Sequence, residues 1–299
     1  MRTRTREPMT TPPDPEVLRE RRRLINLAYR LLGSLTEAED AVQETYARWY
    51  AMSPAQRDAV ESPGAWLTTV AGRVCLDLLG SARARRERYV GEWIPEPLPG
   101  PGESPADPAE RVTLDESVTM ALLVVLDAMT PAERVAFVLH DVFRYPFADI
   151  ARIVGRTPAA CRQLASSARR RVRAADAPAA PPARQADLVR GFKRAWEARD
   201  VDALLAVLDP DATAVADSGG RAAALPHPVR GAREIARRYV GIARAATGVT
   251  LLERTVNGLP GLVAREDGVT VTVFAFHVVD DRIRHIWVMR NPDKLRAWA

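Results

Sequence analysis

Cysteine is nearly absent from this 299-residue chain: Cys75 and Cys161 stand alone, in no CxxC spacing and with no histidine close by in sequence. Neither a disulfide framework nor a zinc site can be built from them. Lysine is equally rare. Lys193 and Lys294 are the only two, so the formal charge of +5 is carried by arginine. No apolar run reaches the roughly 20 residues that a membrane span needs. The N-terminal stretch MRTRTREPMTTPPDPE is basic but lacks the apolar segment of a signal peptide. These absences lead us to expect a cytoplasmic protein that does not meet the membrane. Hydrophobic residues make up 47% of the chain, enough to build true cores.

Residues 1–15 read as a disordered leader. Apolar residues recur at helical spacing over 16–50 and 65–90, and Pro63-Gly64 marks a helix start. Residues 95–108, PEPLPGPGESPADP, are too rich in Pro and Gly for regular structure and read as a linker. Helical periodicity resumes from 109 to 174, and AADAPAAPPARQ provides a second linker at 175–183. After one more helix the texture changes to β-branched and aromatic runs broken by Asn-Gly, Asp-Gly and Asp-Asp, the punctuation of antiparallel hairpins. The expected architecture is two all-α domains, 16–94 and 109–174, followed by an α+β domain at 184–299.

Two helices carry chemistry. On the first, Glu37, Asp40 and Glu44 form an acidic stripe opposite Ala38, Val42, Thr45 and Trp49. On the second, the stretch 151–175 contains seven arginines and no acid, a one-signed surface suited to a polyanion. Phe147–Val154, Gly155 and the Thr157-Pro158 start outline a helix-turn-helix. Its second helix sets Cys161, Leu164, Ala165, Ala168 and Val172 against Arg162, Ser166, Arg169 and Arg173. Arg162 and Gln163 lie near the start, where base edges are within reach. Arg169, Arg170 and Arg171 lie where phosphates are. Taken alone, the helix-turn-helix would equally serve a ligand-responsive repressor or activator.

The runs AYRLLGSLTEAEDAVQETYARWY and PGAWLTTVAGRVCLDLLGSARARRERY, with the helix-turn-helix after them, resemble an extracytoplasmic-function sigma factor of the sigma-70 family. The resemblance covers residues 20–174. It implies that 16–94 is sigma domain 2 and 109–174 is sigma domain 4. It implies that Asp40, Gln43 and Glu44 dock on the β′ clamp helices of core RNA polymerase. Residues 66–79 and Arg83, Arg85 and Arg86 would face the promoter −10 element, with loop 53–65 forming a pocket for an unstacked base. Thr157, Arg162, Gln163, Ser166, Arg169 and Arg170 would face the −35 element.

Residues 184–299 resemble the SnoaL-like cone. Sigma factors with such a tail carry a WLPEP-like linker, a DGGGK-like motif and NPDKL. This chain has Trp93-Ile94-Pro95-Glu96-Pro97, Asp217-Ser218-Gly219-Gly220-Arg221 and Asn291-Pro292-Asp293-Lys294-Leu295, departing from the second motif at Ser218 and Arg221. Trp93, Pro95, Asp217, Gly219, Gly220, Asn291, Pro292, Asp293 and Lys294 are therefore the candidate contacts between tail and sigma domains. The cone admits a small-molecule ligand, with Asp217, His227, Asn257, His277, His285 and Trp287 as polar candidates for its wall. An enzymatic cone stays open on composition alone, yet no nucleophile-base set or metal cluster is spaced in it. The sequence therefore implies a regulatory protein without catalytic residues or cofactors.

Overall fold

The computed structural model describes residues 15–86, 89–101, 103, 118–175, 180–225 and 227–298. The leader, apart from Pro15, and residues 102, 104–108 and 176–179 of the two linkers lie outside the described residues. The first helical unit runs α1 (Pro15–Arg19), α2 (Arg21–Leu32), α3 (Leu35–Ala51), α4 (Pro54–Asp58) and α5 (Pro63–Arg86). The second runs α6 (Met120–Asp127), α7 (Pro131–Phe137, continued by a π turn at Val138–Val142), α8 (Phe147–Val154) and α9 (Pro158–Ala175). Local chemistry sets the boundaries. Gly33 takes the left-handed conformation that ends α2, and the Ser34 hydroxyl accepts from Glu37 N to start α3. Ser53 with Gln56 and Thr130 with Glu133 close capping boxes on α4 and α7.

The tail begins with α10 (Pro182–Ala198) and α11 (Val201–Val207). β1 (Leu208–Asp217), β2 (Val229–Arg230), α12 (Ala232–Ala245), β3 (Val249–Val256), β4 (Leu259–Glu266), β5 (Val269–Val279) and β6 (Arg282–Met289) follow. The strands form one sheet in the order β2-β1-β6-β5-β4-β3, with β1 parallel to β6 and every other pair antiparallel. The three hairpin turns, Asn257-Gly258, Asp267-Gly268 and Asp280-Asp281, have positive φ at both positions, the geometry that matches strand twist. The sheet curves around α10–α12 as the expected cone.

Both faces of this sheet are buried, by different partners. Leu262, Ala264, Phe274, Phe276, Ile286 and Val288 face the cone with Phe192, Trp196 and Tyr239. Their strand neighbours Val263, Val273, Ala275, Trp287 and Met289 face the other way, against Ile94, Met120, Leu295 and Trp298. The outer face of the tail is thus the seat of the interdomain linker and of the first helix of the second unit.

The two helical units also share one hydrophobic core. α5 meets α8 at Gly72, where a Cβ would stand 3.1 Å from Ile153 Cγ2. Arg73 on α5 donates across the same contact to Arg152 O at 2.9 Å. Arg134 Nη1 donates to Leu31 O at 2.8 Å, and Tyr145 Oη donates to Thr68 Oγ1 at 2.8 Å while accepting from Arg23. The Pro/Gly composition of 95–108 leads one to expect two independently placed units; here they are packed together, because the glycine at position 72 leaves room for Ile153. Both cysteines are buried, and burial pushes the Cys75 thiol up to about 12, so neither is a reactive thiol.

Candidate functional site

Three surfaces gather the residues singled out in the sequence. On α3, Ala38, Ala41, Val42, Thr45 and Trp49 are buried and hold the helix to the core. Asp40, Gln43 and Glu44 project outward on the opposite side and are exposed. Glu44 accepts from Arg48 Nε at 2.8 Å, whereas Asp40 forms no ion pair among the described residues. The stripe is therefore an open acidic surface with one internal base beside it.

Between α3 and the start of α5, Trp49, Pro54, Arg57, Asp58, Val60 and Pro63 line an open cavity of about 280 Å³. It lies on the 53–65 loop, and Trp66 packs edge-on against Trp49 beneath it at 5.1 Å. The side chains of Arg83, Arg85 and Arg86 lie outside what the structure describes.

On α9, Cys161, Ala165 and Ala168 have no exposed surface. Thr157 Oγ1 accepts from Ala160 N at 3.2 Å, as a cap should. Arg162, Gln163 and Arg170 are exposed, with the Arg162 guanidinium 5.5 Å over the Phe147 ring. Ser166 is half-buried. Arg169 is partly engaged at home, donating to Asp141 at 2.7 Å.

The tail motifs converge on the linker. Asp217, with no exposed surface, accepts from Tyr89 Oη at 2.6 Å, Ile94 N at 3.0 Å, Lys294 Nζ at 2.7 Å and Gly219 N at 3.1 Å. Lys294 Nζ also donates to Ile94 O at 2.6 Å and lies 4.1 Å over the Trp93 ring. Asn291 donates to Tyr89 Oη at 2.8 Å and caps the turn through Asp293 N. Pro292 opens that turn, while Asp293 pairs at the surface with Arg221. Gly219 and Gly220 both have positive φ, and a Cβ on Gly219 would overlap Asn291. Pro95 is buried against Gly33, whose missing side chain also admits the Trp93 ring.

The other side of the linker is held by the first helical unit. Glu96 N donates to Gly33 O at 2.7 Å, and the Glu96 carboxylate accepts from Leu35 N at 2.8 Å and Ser34 Oγ at 3.2 Å, at the start of α3. Burial raises the Glu96 carboxyl above its ordinary value, opposed by those hydrogen bonds. Tyr29 Oη donates to Glu96 O at 2.6 Å and accepts from Asn257 Nδ2 at 2.9 Å. Leu98 N donates to Asn257 Oδ1 at 3.1 Å, and Trp298 Nε1 donates to Pro97 O at 2.8 Å. Residues 94–98 are thus a buried strap between α2–α3 and the tail.

Tyr29, Tyr89, Glu96, Asn257 and Trp298 belong to this latch without having been expected there. The sequence signal for Glu96 was its place inside the WIPEP motif; Tyr89 and Trp298 gave none. The expected cone wall is corrected in turn. Asp217 and Asn257 point into the latch. His277, His285 and Trp287 stack on the outer face of the sheet, His285 within 5.7 Å of both neighbours. His227 does not line the cone cavity either.

Family models agree with the geometry of both helical units: sigma-70 region 2 matches residues 17–85, and sigma-70, region 4 matches residues 119–172. The chain is 37% identical over 290 residues to the ECF RNA polymerase sigma factor SigJ of Mycobacterium tuberculosis, covering 92% of this chain and 90% of that one. It is 35% identical to the probable ECF RNA polymerase sigma factor SigI of the same species, over 92% of each. The crystal structure of M. tuberculosis SigJ aligns with a TM-score of 0.74 at 35% identity, covering 94% of this chain and 98% of that one. The two sigma-70 regions and similarity over nine-tenths or more of both chains place this chain in the family of extracytoplasmic-function RNA polymerase sigma factors.

Proposed function

We propose that this chain docks on core RNA polymerase through Asp40, Gln43 and Glu44 and reads two promoter elements. α5 and the Trp49–Pro63 cavity take the −10 element, and α9 takes the −35 element. Its own tail holds it in a closed form in which the two cannot act together. One observation carries the reading. α5 and α8 are in direct contact at Gly72 and Ile153. The −10 and −35 elements lie about 25 base pairs apart, on the order of 80 Å along B-DNA. α9 has 18 residues, a length of about 27 Å. A domain pair in contact cannot bridge that distance, so promoter engagement requires α8–α9 to leave α5. The linker that sets their separation is the strap fixed by the latch. Among the described residues no helix is long and apolar enough to cross a membrane, and the reading puts the chain in the cytoplasm beside polymerase and DNA.

The acidic stripe is open in the closed form, so core binding precedes or accompanies opening. Replacing Asp40 and Glu44 together with Ala keeps or improves helix propensity and removes the charge complementary to a basic partner. The expected result is weaker core binding, by about tenfold at moderate salt. Fluorescence titration of labelled variant with purified core enzyme measures it; an unchanged affinity in a folded double variant would remove the stripe from the docking surface.

Division of labour on α9 follows from position, Arg162 lying near the helix start and Arg170 in the arginine cluster towards its end. Arg162→Ala is expected to relax which −35 sequences are used, a change of about 1–3 kcal/mol at the contacted position. Arg170→Ala is expected to weaken all promoters alike and reduce the salt dependence by about one ion. Run-off transcription from a randomised −35 library separates the two. Identical sequence preference in wild type and Arg162→Ala would overturn the assignment.

A further inference from the structure

The cone holds an open-mouthed pocket of about 430 Å³, in the range of small-molecule sites. Most of its wall is apolar, with Trp196, Phe274 and Val288 among the larger side chains. Three residues on that wall carry a polar atom with no hydrogen-bond partner among the described residues. Tyr239 is 3% exposed and its hydroxyl bonds to nothing among the described residues, although its ring packs on Phe192 and Phe274. Thr272 is 6% exposed, and its hydroxyl is likewise unbonded among the described residues. Arg290 Nε is fully buried without a partner, while the same guanidinium donates to Ala223 O. One step beyond the Val273–Met289 pair, the β5–β6 register sets Thr272 beside Arg290. Glu266 stands on the exposed rim and forms no ion pair with Arg290. A buried donor left unsatisfied, as Arg290 Nε is, is costly, and the two hydroxyls have donors to offer a guest. Two hydroxyls and an uncompensated cation on one apolar wall describe the complement of an acceptor that bears negative charge.

We propose that the cone is a binding site for an apolar monocarboxylic acid, its hydrocarbon or aryl body among the rings and its carboxylate at Tyr239, Thr272 and Arg290. Burial raises the Tyr239 hydroxyl well above its ordinary value, so it stays protonated and donates. The site adjoins the latch. Ala216 and Val288 line the cavity, and the Arg290 backbone N donates to Asp217 O at 2.7 Å, so an acid drawing on Arg290 pulls on the residue that holds Lys294. That route to regulation rests on the closed-form reading above, whereas binding itself does not depend on it.

The test uses the full chain, with decanoate and naphthalene-2-carboxylate as flexible and rigid probes and decan-1-ol as the uncharged counterpart. Isothermal titration is expected to show one-to-one binding of at least one acid, with decan-1-ol bound about tenfold or more weakly than decanoate. Tyr239→Phe removes an unbonded hydroxyl and keeps the ring packing, so it should leave the melting temperature of the free protein unchanged. It should weaken the bound acid about tenfold. Ala264→Trp, which fills the cavity, should abolish binding. The proposal is overturned if neither acid binds up to about 1 mM. It is also overturned if decan-1-ol binds as tightly as decanoate, or if Tyr239→Phe and Ala264→Trp both bind like wild type. None of these readouts involves polymerase or transcription, so a failure here and a failure of the closed-form reading are separate results.

Discussion

Lys294→Met is expected to destabilise the latch by about 3–5 kcal/mol, because it strands the Asp217 carboxylate inside the protein. Asp217 has no exposed side-chain surface, and Lys294 is only 11% exposed. Tyr89 Oη, Ile94 N and Gly219 N would still donate to the carboxylate, which places the loss toward the lower end of that range. The surface pair in the same motifs is the internal contrast. Arg221 and Asp293 are 58% and 51% exposed, so Arg221→Ala should change stability by under about 1 kcal/mol. Pairing Lys294→Met with Asp217→Asn should recover part of the loss, since the double variant buries no uncompensated charge. Hydrogen exchange at Ile94, Glu96 and Leu98 localises the effect: all three amides bond across the strap and should lose protection together. With the strap released, equal amounts of folded Lys294→Met protein should give more run-off transcript from a cognate promoter than wild type. Unaltered exchange at these amides would remove Lys294 from the latch. Altered exchange with unaltered transcription would separate the latch from regulation.

Much of this arrangement was legible from residues. Gly155 and Thr157 announced the helix-turn-helix, and Asn257-Gly258, Asp267-Gly268 and Asp280-Asp281 announced the hairpins, because positive φ and side-chain caps demand particular residues. The faces of α3 and α9 followed from their 3.6-residue period. The sheet was harder to orient. Along β5 nearly every residue after Val271 is buried, whichever face it lies on. Alternation therefore assigned two faces without saying which one lines the cone. That is why His277, His285 and Trp287 were counted among the cone candidates, and why Tyr239 and Arg290, on a helix and at a strand end, were not. Asp217 and Asn257 looked like pocket acids and amides because nothing local reveals that partners such as Ile94, Leu98 and Tyr29 lie 123 or more residues away. The strap was hidden by its own composition. Pro95, Pro97 and Pro99 read as a spacer, yet proline also lacks the N–H that burial would leave unpaired. Residues 94–98 can therefore be sealed between two domains with few backbone donors to satisfy.

Gly72→Leu is expected to shift the chain from the closed to the open form by one to two orders of magnitude. Gly72 has no capping, turn or chemical role, and its φ is not in the left-handed region. It sits mid-helix, where glycine is about 0.8–1 kcal/mol worse than alanine, so its presence there needs a packing reason. Ile153 supplies that reason. A Cβ at position 72 would stand 3.1 Å from Ile153 Cγ2 and 3.4 Å from Cδ1, close enough that alanine requires only a small adjustment. Leucine adds three more carbons against a side chain that is 5% exposed and has nowhere to go. Overpacking of this kind costs about 1–3 kcal/mol, which is a factor of about 5–150 in the balance of two forms. The cost falls on the contact between α5 and α8, whereas α5 itself gains helix propensity, so the first helical unit should be no less stable. Small-angle scattering should report a larger radius of gyration for Gly72→Leu, with Gly72→Ala close to wild type. Affinity for a duplex bearing both promoter elements should rise in the same order, and for a duplex bearing only the −35 element it should not, because α9 is already exposed. A folded Gly72→Leu protein with wild-type dimensions and wild-type affinity for the two-element duplex would mean that the α5–α8 contact does not hold the promoter-reading surfaces together.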